Sequence, residues 1–175
     1  MIMRPGLRKF ALTAHVTFSV GLLGAVACFL ALAIAGLTSH DAQTVRASYL
    51  AMEVIARFTI VPLAFASLLT GLVQSVGTTW GLLRHHWVVM KLLLTAFVIV
   101  VLLLKMPLIG YVADVAARSV LSATDLRAAR LELVTHATAG LLVLLLPVTL
   151  SLYKPRGLTR YGWRKQNVRQ KDLMP

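Results

Sequence analysis

The chain has 175 residues, of which 58% are apolar and only 14% are charged. A soluble domain carries about a quarter charged residues, so this composition excludes an ordinary soluble enzyme, and the apolar content excludes a disordered chain. The 18 Lys and Arg against 6 Asp and Glu give a net charge of +12, and the single cysteine, Cys28, excludes a disulfide framework. An integral membrane protein with basic ends is the class that remains.

Charged residues divide the chain into four apolar runs, each long enough for a membrane helix, which needs about 20 residues to cross roughly 30 Å of hydrocarbon. The sequence predicts spans at about 11–36, 49–74, 87–110 and 131–153. The first run could instead be a signal peptide, but it is about twice as long as the apolar core of one, which favours a retained span. The prediction is an all-α, integral membrane four-helix bundle, with residues 1–175 as a single membrane domain.

Basic residues are concentrated before the first span and after the last. Arg4, Arg8 and Lys9 lie at the start of the chain, and residues 154–175 form a basic tail. The positive-inside rule therefore predicts a multi-pass protein of the bacterial inner (plasma) membrane with both termini in the cytoplasm. We expect the tail to contact anionic lipid head groups. It lacks an aromatic–basic binding motif, so no nucleic-acid partner is expected, whereas a homo-oligomer or a larger membrane complex fits this class.

Two features of the spans bear on how the helices pack. Small residues at Gly21 and Ala25, and at Gly24 and Cys28, are four apart in span 1. Such ridges allow close approach of membrane helices, so we expect this one to face the bundle. Proline cannot donate a backbone hydrogen bond, so Pro62 in span 2 and Pro147 in span 4 are expected to kink their helices or locally free a carbonyl.

Ionisable residues near one membrane surface form a candidate outer polar cluster. Glu53 and Arg57 are four apart in span 2, and Glu132 and His136 repeat that spacing in span 4. Residues at this spacing lie one above the other on a helix and can neutralise each other. Two interpretations stay open: two self-satisfied pairs, or one cluster, joined by His40, that binds an ion or relays protons.

A second group of polar residues lies near the opposite surface. His15 is in span 1, His85 and His86 precede span 3, and Lys91 is one turn into that span. A snorkelling lysine and structural histidines are one interpretation. A haem or metal site is the other, because neutral imidazole is a common metal ligand. His15 and His136 differ in depth by roughly 18 Å at 1.5 Å per residue, so they cannot share a metal.

Short motifs along the chain carry a family resemblance. They are Thr13-Ala14-His15-Val16, Gly21-Leu22-Leu23-Gly24, Met52-Glu53, Pro62, Gly71, Trp87, Lys91 and Lys154-Pro155. In order they resemble an uncharacterised bacterial family of four-helix integral membrane proteins, distantly similar to the haem-binding membrane protoporphyrinogen oxidases and to the copper-resistance D-type proteins. The resemblance covers about residues 8–156.

The resemblance implies roles for two residues. In the oxidase branch the histidine that matches His15 is a haem ligand, and the lysine that matches Lys91 is important for activity. Two positions depart from the pattern. Leu22-Leu23 stands where the family often has an aromatic residue, and Val54 stands where the oxidases have an arginine directly after the span-2 glutamate. The scaffold and haem b are therefore the implied features, without porphyrin oxidation.

Two functional classes follow from these observations. One is a b-type haem-binding or redox-related membrane protein that uses His15, with His85 or His86 and Lys91 nearby. The other is a non-enzymatic membrane protein: an accessory subunit, a metal-tolerance factor or a small transporter. It is favoured by the lack of any nucleophile–base constellation, phosphate loop or Cys/His metal box in the sequence.

Overall fold

The computed structural model describes residues 3–77, 86–118 and 126–153, together with Trp163. Helix α1 covers Pro5–Thr38, α2 Ala42–Ile55, α3 Val61–Gly77, α4 His86–Arg118 and α5 Arg127–Tyr153, and a π-helical turn at Ala56–Ile60 joins α2 to α3. Four helical segments are long and apolar enough to cross a membrane: α1, the continuous helix Ala42–Gly77, α4, and α5 as far as Ser151. The predicted four-helix, membrane-type fold is confirmed at this level.

The helices are longer than the predicted spans because their ends are set by local chemistry rather than by hydropathy. Pro5 occupies the first turn of α1, where its missing N–H is not needed. Asp41 caps α2, and its carboxylate accepts the Thr44 N–H at 2.8 Å. The 34 residues of α1 extend for about 51 Å, so this helix continues beyond the roughly 30 Å of a hydrocarbon core.

The helices pack as an antiparallel ring. Helix α1 packs against the Ala42–Gly77 helix and α5, and α4 packs against the same two neighbours. We call the end that holds Pro5, Gly77, His86 and Tyr153 the termini end, and the opposite end the distal end. Buried residues shared by all four helices form one apolar core, which includes Ala33, Met52, Val112 and Leu133.

The π-helical turn lies directly before Pro62. The ring of a proline clashes with the carbonyl four residues earlier, which here belongs to Phe58. The turn widens so that the Val61 N–H bonds to the Ala56 carbonyl, five residues back. The local disturbance expected at Pro62 takes the form of this wider turn, and α5 continues as an α-helix through Pro147.

The small-residue ridge of α1 is not turned into the bundle as a whole. Gly21 lies close to Leu63, but the Cβ position of Gly24 has no neighbour within 4 Å, and Cys28 is exposed. The prediction for the Gly24–Cys28 pair is therefore wrong. In this part of α1 the residues that enter the apolar core are Leu22, Val26 and Phe29.

Candidate functional site

His15 joins α1 to α3 at the termini end. Its Nδ1 atom lies 3.1 Å from the Ser67 carbonyl oxygen and 3.2 Å from Thr70 Oγ1, and the side chain is half-buried. Both partners lie in α3, where Thr70 Oγ1 also donates to the Ala66 carbonyl at 2.7 Å. His15 therefore makes an interhelical contact through one ring nitrogen only.

These partners decide which nitrogen of His15 carries the proton. A carbonyl oxygen can only accept, so Nδ1 must donate to Ser67. The Thr70 hydroxyl donates its proton to the Ala66 carbonyl, so its oxygen is a second acceptor for the His15 Nδ1–H. In the neutral imidazole the lone pair then lies on Nε2, and no hydrogen bond to Nε2 is found within the described residues. A ring nitrogen with this environment is suited to bind a metal or to accept a proton.

Small and polar residues on α3 make this approach possible. The Cβ position of Gly71 lies only 3.1 Å from Cε1 of His15, so glycine leaves room for the ring. Ser19 Oγ and Ser67 Oγ are 2.8 Å apart, and Gln74 Nε2 donates to the Ala11 carbonyl at 2.8 Å. A seam of polar contacts thus runs between α1 and α3 on both sides of His15.

Lys91 lies across the bundle, on α4. Its Nζ donates to Ser151 Oγ of α5 at 2.6 Å and lies 5.4 Å from the centre of the Trp87 ring. His15 and Lys91 both lie toward the termini end of their helices, α1 and α4, and we call the polar region at this end of the bundle the termini-end site. His86 is exposed at the start of α4, and His85 lies outside the described residues.

The predicted outer polar cluster lies at the distal end, but its members do not all join. Arg57 Nη2 bonds to Glu53 Oε1 at 3.1 Å, as their spacing predicted. His40 is exposed in the turn that follows α1. The other predicted pair, Glu132 with His136, has a different arrangement.

Glu132 and His136 do not neutralise each other through their side chains. The Glu132 carboxylate bonds to Lys105 Nζ of α4 at 2.5 Å, and His136 Nδ1 lies 2.8 Å from the Glu132 backbone carbonyl. Lys105 offers a full positive charge from a neighbouring helix, and a hydrogen bond between charged groups is a strong one for the carboxylate. Glu53 and Glu132, the two acidic members of the predicted cluster, therefore belong to separate ion pairs, one within the Ala42–Gly77 helix and one between α4 and α5.

Sequence reasoning missed Arg130, which is the most deeply buried charged side chain among the described residues. Its side chain is 1% exposed, its Nε donates to the Tyr49 hydroxyl at 2.8 Å, and Nη2 donates to the Gly36 carbonyl. The guanidinium also lies 5.4 Å from the centre of the Tyr49 ring. Arg130 directly precedes predicted span 4 and Tyr49 begins predicted span 2, and neither position along the chain indicates that they meet. Only their convergence in space reveals the contact.

Arg130 also satisfies a helix end. The Gly36 carbonyl belongs to the last turn of α1, where carbonyls lack a partner within the helix. A cation there interacts favourably with the negative end of the helix dipole. Arg130 thus ties together α1, α2 and α5 at the distal end.

Among the described residues, no group of three or more His, Cys, Asp or Glu side chains could hold a metal ion. Compared with protein-family models, with curated proteins and with solved structures, the chain has no match.

Proposed function

We propose that this chain is a multi-pass protein of the bacterial inner membrane, with both termini in the cytoplasm, that binds a b-type haem through His15. Four apolar helices support the membrane class. Arg4, Arg8 and Lys9 lie at the termini end, and the tail 154–175 adds seven more Lys and Arg residues after Tyr153. This charge bias supports the cytoplasmic side for that end.

The observation that carries the haem proposal is the hydrogen bond from His15 Nδ1 to the Ser67 carbonyl. Histidines that ligate a metal through Nε2 usually donate their other N–H to a carbonyl, a carboxylate or water, which fixes the ring and raises its basicity. His15 has this support before any ligand is present. The bond also comes from a different helix, so the ring orientation is set by the bundle rather than by α1 alone.

The termini-end residues fit haem better than they fit a free metal ion. A porphyrin supplies four nitrogens to its iron, so one imidazole from the protein is sufficient. The Lys91 charge, at the same end of the bundle as His15, suits a ligand that carries carboxylate groups. When bound, haem would supply one-electron redox chemistry. The chain's own contribution would be to hold the imidazole and to place positive charge beside it.

An absorption spectrum of the purified protein tests this proposal. Protein made in haem-replete cells should show a Soret band, and His15→Ala should abolish it. His136→Ala is a matched control, because that ring also has its Nδ1 beside a backbone carbonyl but lies at the distal end. The control should keep the band.

Two results would count against the proposal. A colourless wild-type protein from haem-replete cells would favour the non-enzymatic class of membrane protein. A Soret band that persists in His15→Ala would show that a residue other than His15 binds the haem. Topology is tested separately with reporter fusions at each terminus, and reporters on opposite sides of the membrane would contradict the four-span arrangement.

A further inference from the structure

Arg57 occupies an unusual position for a charged residue in an apolar helix. It lies in the π-helical turn, and 58% of its side chain is exposed on the outside of the bundle. The next residue, Phe58, is 71% exposed, and Thr59 is exposed as well. In a membrane this surface faces lipid, so a guanidinium and an aromatic ring stand side by side there.

The hydrogen-bonding capacity of Arg57 is mostly unused. A guanidinium has five N–H donors. Within the described residues Arg57 makes one side-chain hydrogen bond, from Nη2 to Glu53 Oε1 at 3.1 Å. N–H groups without acceptors are strongly unfavourable in hydrocarbon, so this side chain requires acceptors from outside the chain.

The depth of Arg57 identifies the layer that supplies them. The Glu53 carboxylate lies 3.7 Å from the Cβ position of Gly110, so Glu53 is level with that part of α4. The neighbouring Tyr111 is 54% exposed, as expected of a tyrosine at a membrane interface. Arg57 is one helical turn, about 6 Å, nearer the membrane centre. Its bond to Glu53 draws the guanidinium toward the interface, where lipid phosphates lie.

We infer that Arg57 binds the phosphate of a glycerophospholipid in the distal leaflet, with Phe58 against its acyl chains. A guanidinium matches a phosphate through two parallel N–H bonds. Glu53 neutralises part of the charge and holds the side chain in place, but it leaves donors for the phosphate. This inference rests on the membrane insertion in the proposed function, and it is independent of haem binding at His15.

Native mass spectrometry of the full-length protein tests the inference. The protein is delipidated in dodecyl maltoside and titrated with palmitoyl-oleoyl phosphatidylglycerol. Arg57→Gln should weaken the tightest lipid-binding event by about tenfold or more, as expected for loss of a hydrogen bond between charged groups. Arg57→Lys should keep part of the affinity, because lysine retains the positive charge. It should not keep all of it, because lysine lacks the two parallel N–H donors of the guanidinium.

Two further variants separate this role from a structural one. Glu53→Gln removes the internal partner and leaves Arg57 in place, so lipid binding should persist. Arg46→Gln removes an exposed cation of α2 and should have no effect. Equal loss of lipid in all three glutamine variants would overturn the inference, as would full retention in Arg57→Gln.

Two other ligands identify the group that is recognised. Diacylglycerol with the same acyl chains lacks the phosphate, so its binding should not depend on Arg57. Glycerol phosphate lacks the acyl chains and should not compete at equal concentration. Competition by glycerol phosphate would indicate that the ligand of Arg57 is a soluble phosphate compound and not a lipid. Weaker diacylglycerol binding in Arg57→Gln would show that the phosphate is not the group recognised. A haem-free protein that passes these tests would disprove only the haem proposal.

Discussion

The two ends of the bundle differ in how deeply their polar side chains are buried and in how these side chains are hydrogen-bonded. At the distal end, Arg130 is almost completely buried, and its donors are used by Tyr49 and Gly36. At the termini end, His15 is half-buried and makes its hydrogen bonds, among the described residues, through Nδ1. A buried and satisfied cation stabilises a fold. Under the proposed function the imidazole of His15 instead binds a ligand, and the two ends would then differ in role.

The largest expected effect is the loss of stability when the hydrogen bonds of Arg130 to Tyr49 and Gly36 are removed. Arg130→Met keeps much of the side-chain volume but leaves the Tyr49 hydroxyl and the Gly36 carbonyl without this partner. Each unsatisfied buried group costs about 1–3 kcal/mol, so we expect roughly 2–5 kcal/mol of destabilisation. Thermal unfolding in detergent measures it.

Arg118→Met is the control for that variant. Arg118 forms an exposed i,i+4 ion pair with Asp114, and such pairs contribute at most about 1 kcal/mol. If both variants lowered stability equally, the distal end would not depend on Arg130, and the contrast between the ends would fail.

The same substitution at two glycines compares the ends directly. In Gly36→Ala the new Cβ would lie 2.8 Å from Cζ of Tyr49, whose ring is buried and held by Arg130. Overpacking of this kind costs about 1–3 kcal/mol. Gly24→Ala serves as the control, because its Cβ would meet nothing within 4 Å, and alanine favours a helix by roughly 0.5–1 kcal/mol. In chemical denaturation, the midpoint of Gly36→Ala should therefore lie at a lower denaturant concentration than that of the wild type, and the midpoint of Gly24→Ala at a higher one.

Gly71→Ala should have a smaller effect on stability. Its Cβ would lie 3.1 Å from Cε1 of His15, so the half-buried imidazole has to move by only a few tenths of an ångström. We expect less than about 1 kcal/mol of destabilisation, accompanied by a displacement of the His15 ring. Nitrogen-15 NMR of labelled histidine reports the protonated ring nitrogen, which should be Nδ1 in the wild type. A wild-type proton on Nε2 would contradict the assignment from Ser67.

The smallest effect concerns the cap of α2. Hydrogen bonds from the Thr44 hydroxyl and backbone N–H hold the pKa of the exposed Asp41 carboxyl below its usual value. A lowered folded-state pKa contributes stability that is complete above the unfolded value of about 3.9 and is lost as the pH falls through the folded value. Asp41→Asn caps the helix without titrating. The stability difference between wild type and variant should shrink below about pH 4, and a pH-independent difference would contradict this role.

Much of the architecture could be predicted from the chain because bilayer thickness and charge impose simple rules. Apolar runs between charged residues gave four spans, and the irregular turn before Pro62 follows from the chemistry of proline. The Glu53–Arg57 pair also follows from its spacing, since residues four apart meet on any helix. These features depend on neighbours along the chain.

The partners of the other polar groups were decided only in three dimensions. The sequence marked His15 as a site residue, but not Ser67 and Thr70 as the groups that fix its proton. It did not predict that Glu132 would bond to Lys105 or that Arg130 would be buried. The physical reason is that a carboxylate or guanidinium bonds to the strongest partner within reach. Which helices are neighbours, and how they are rotated, determines that reach.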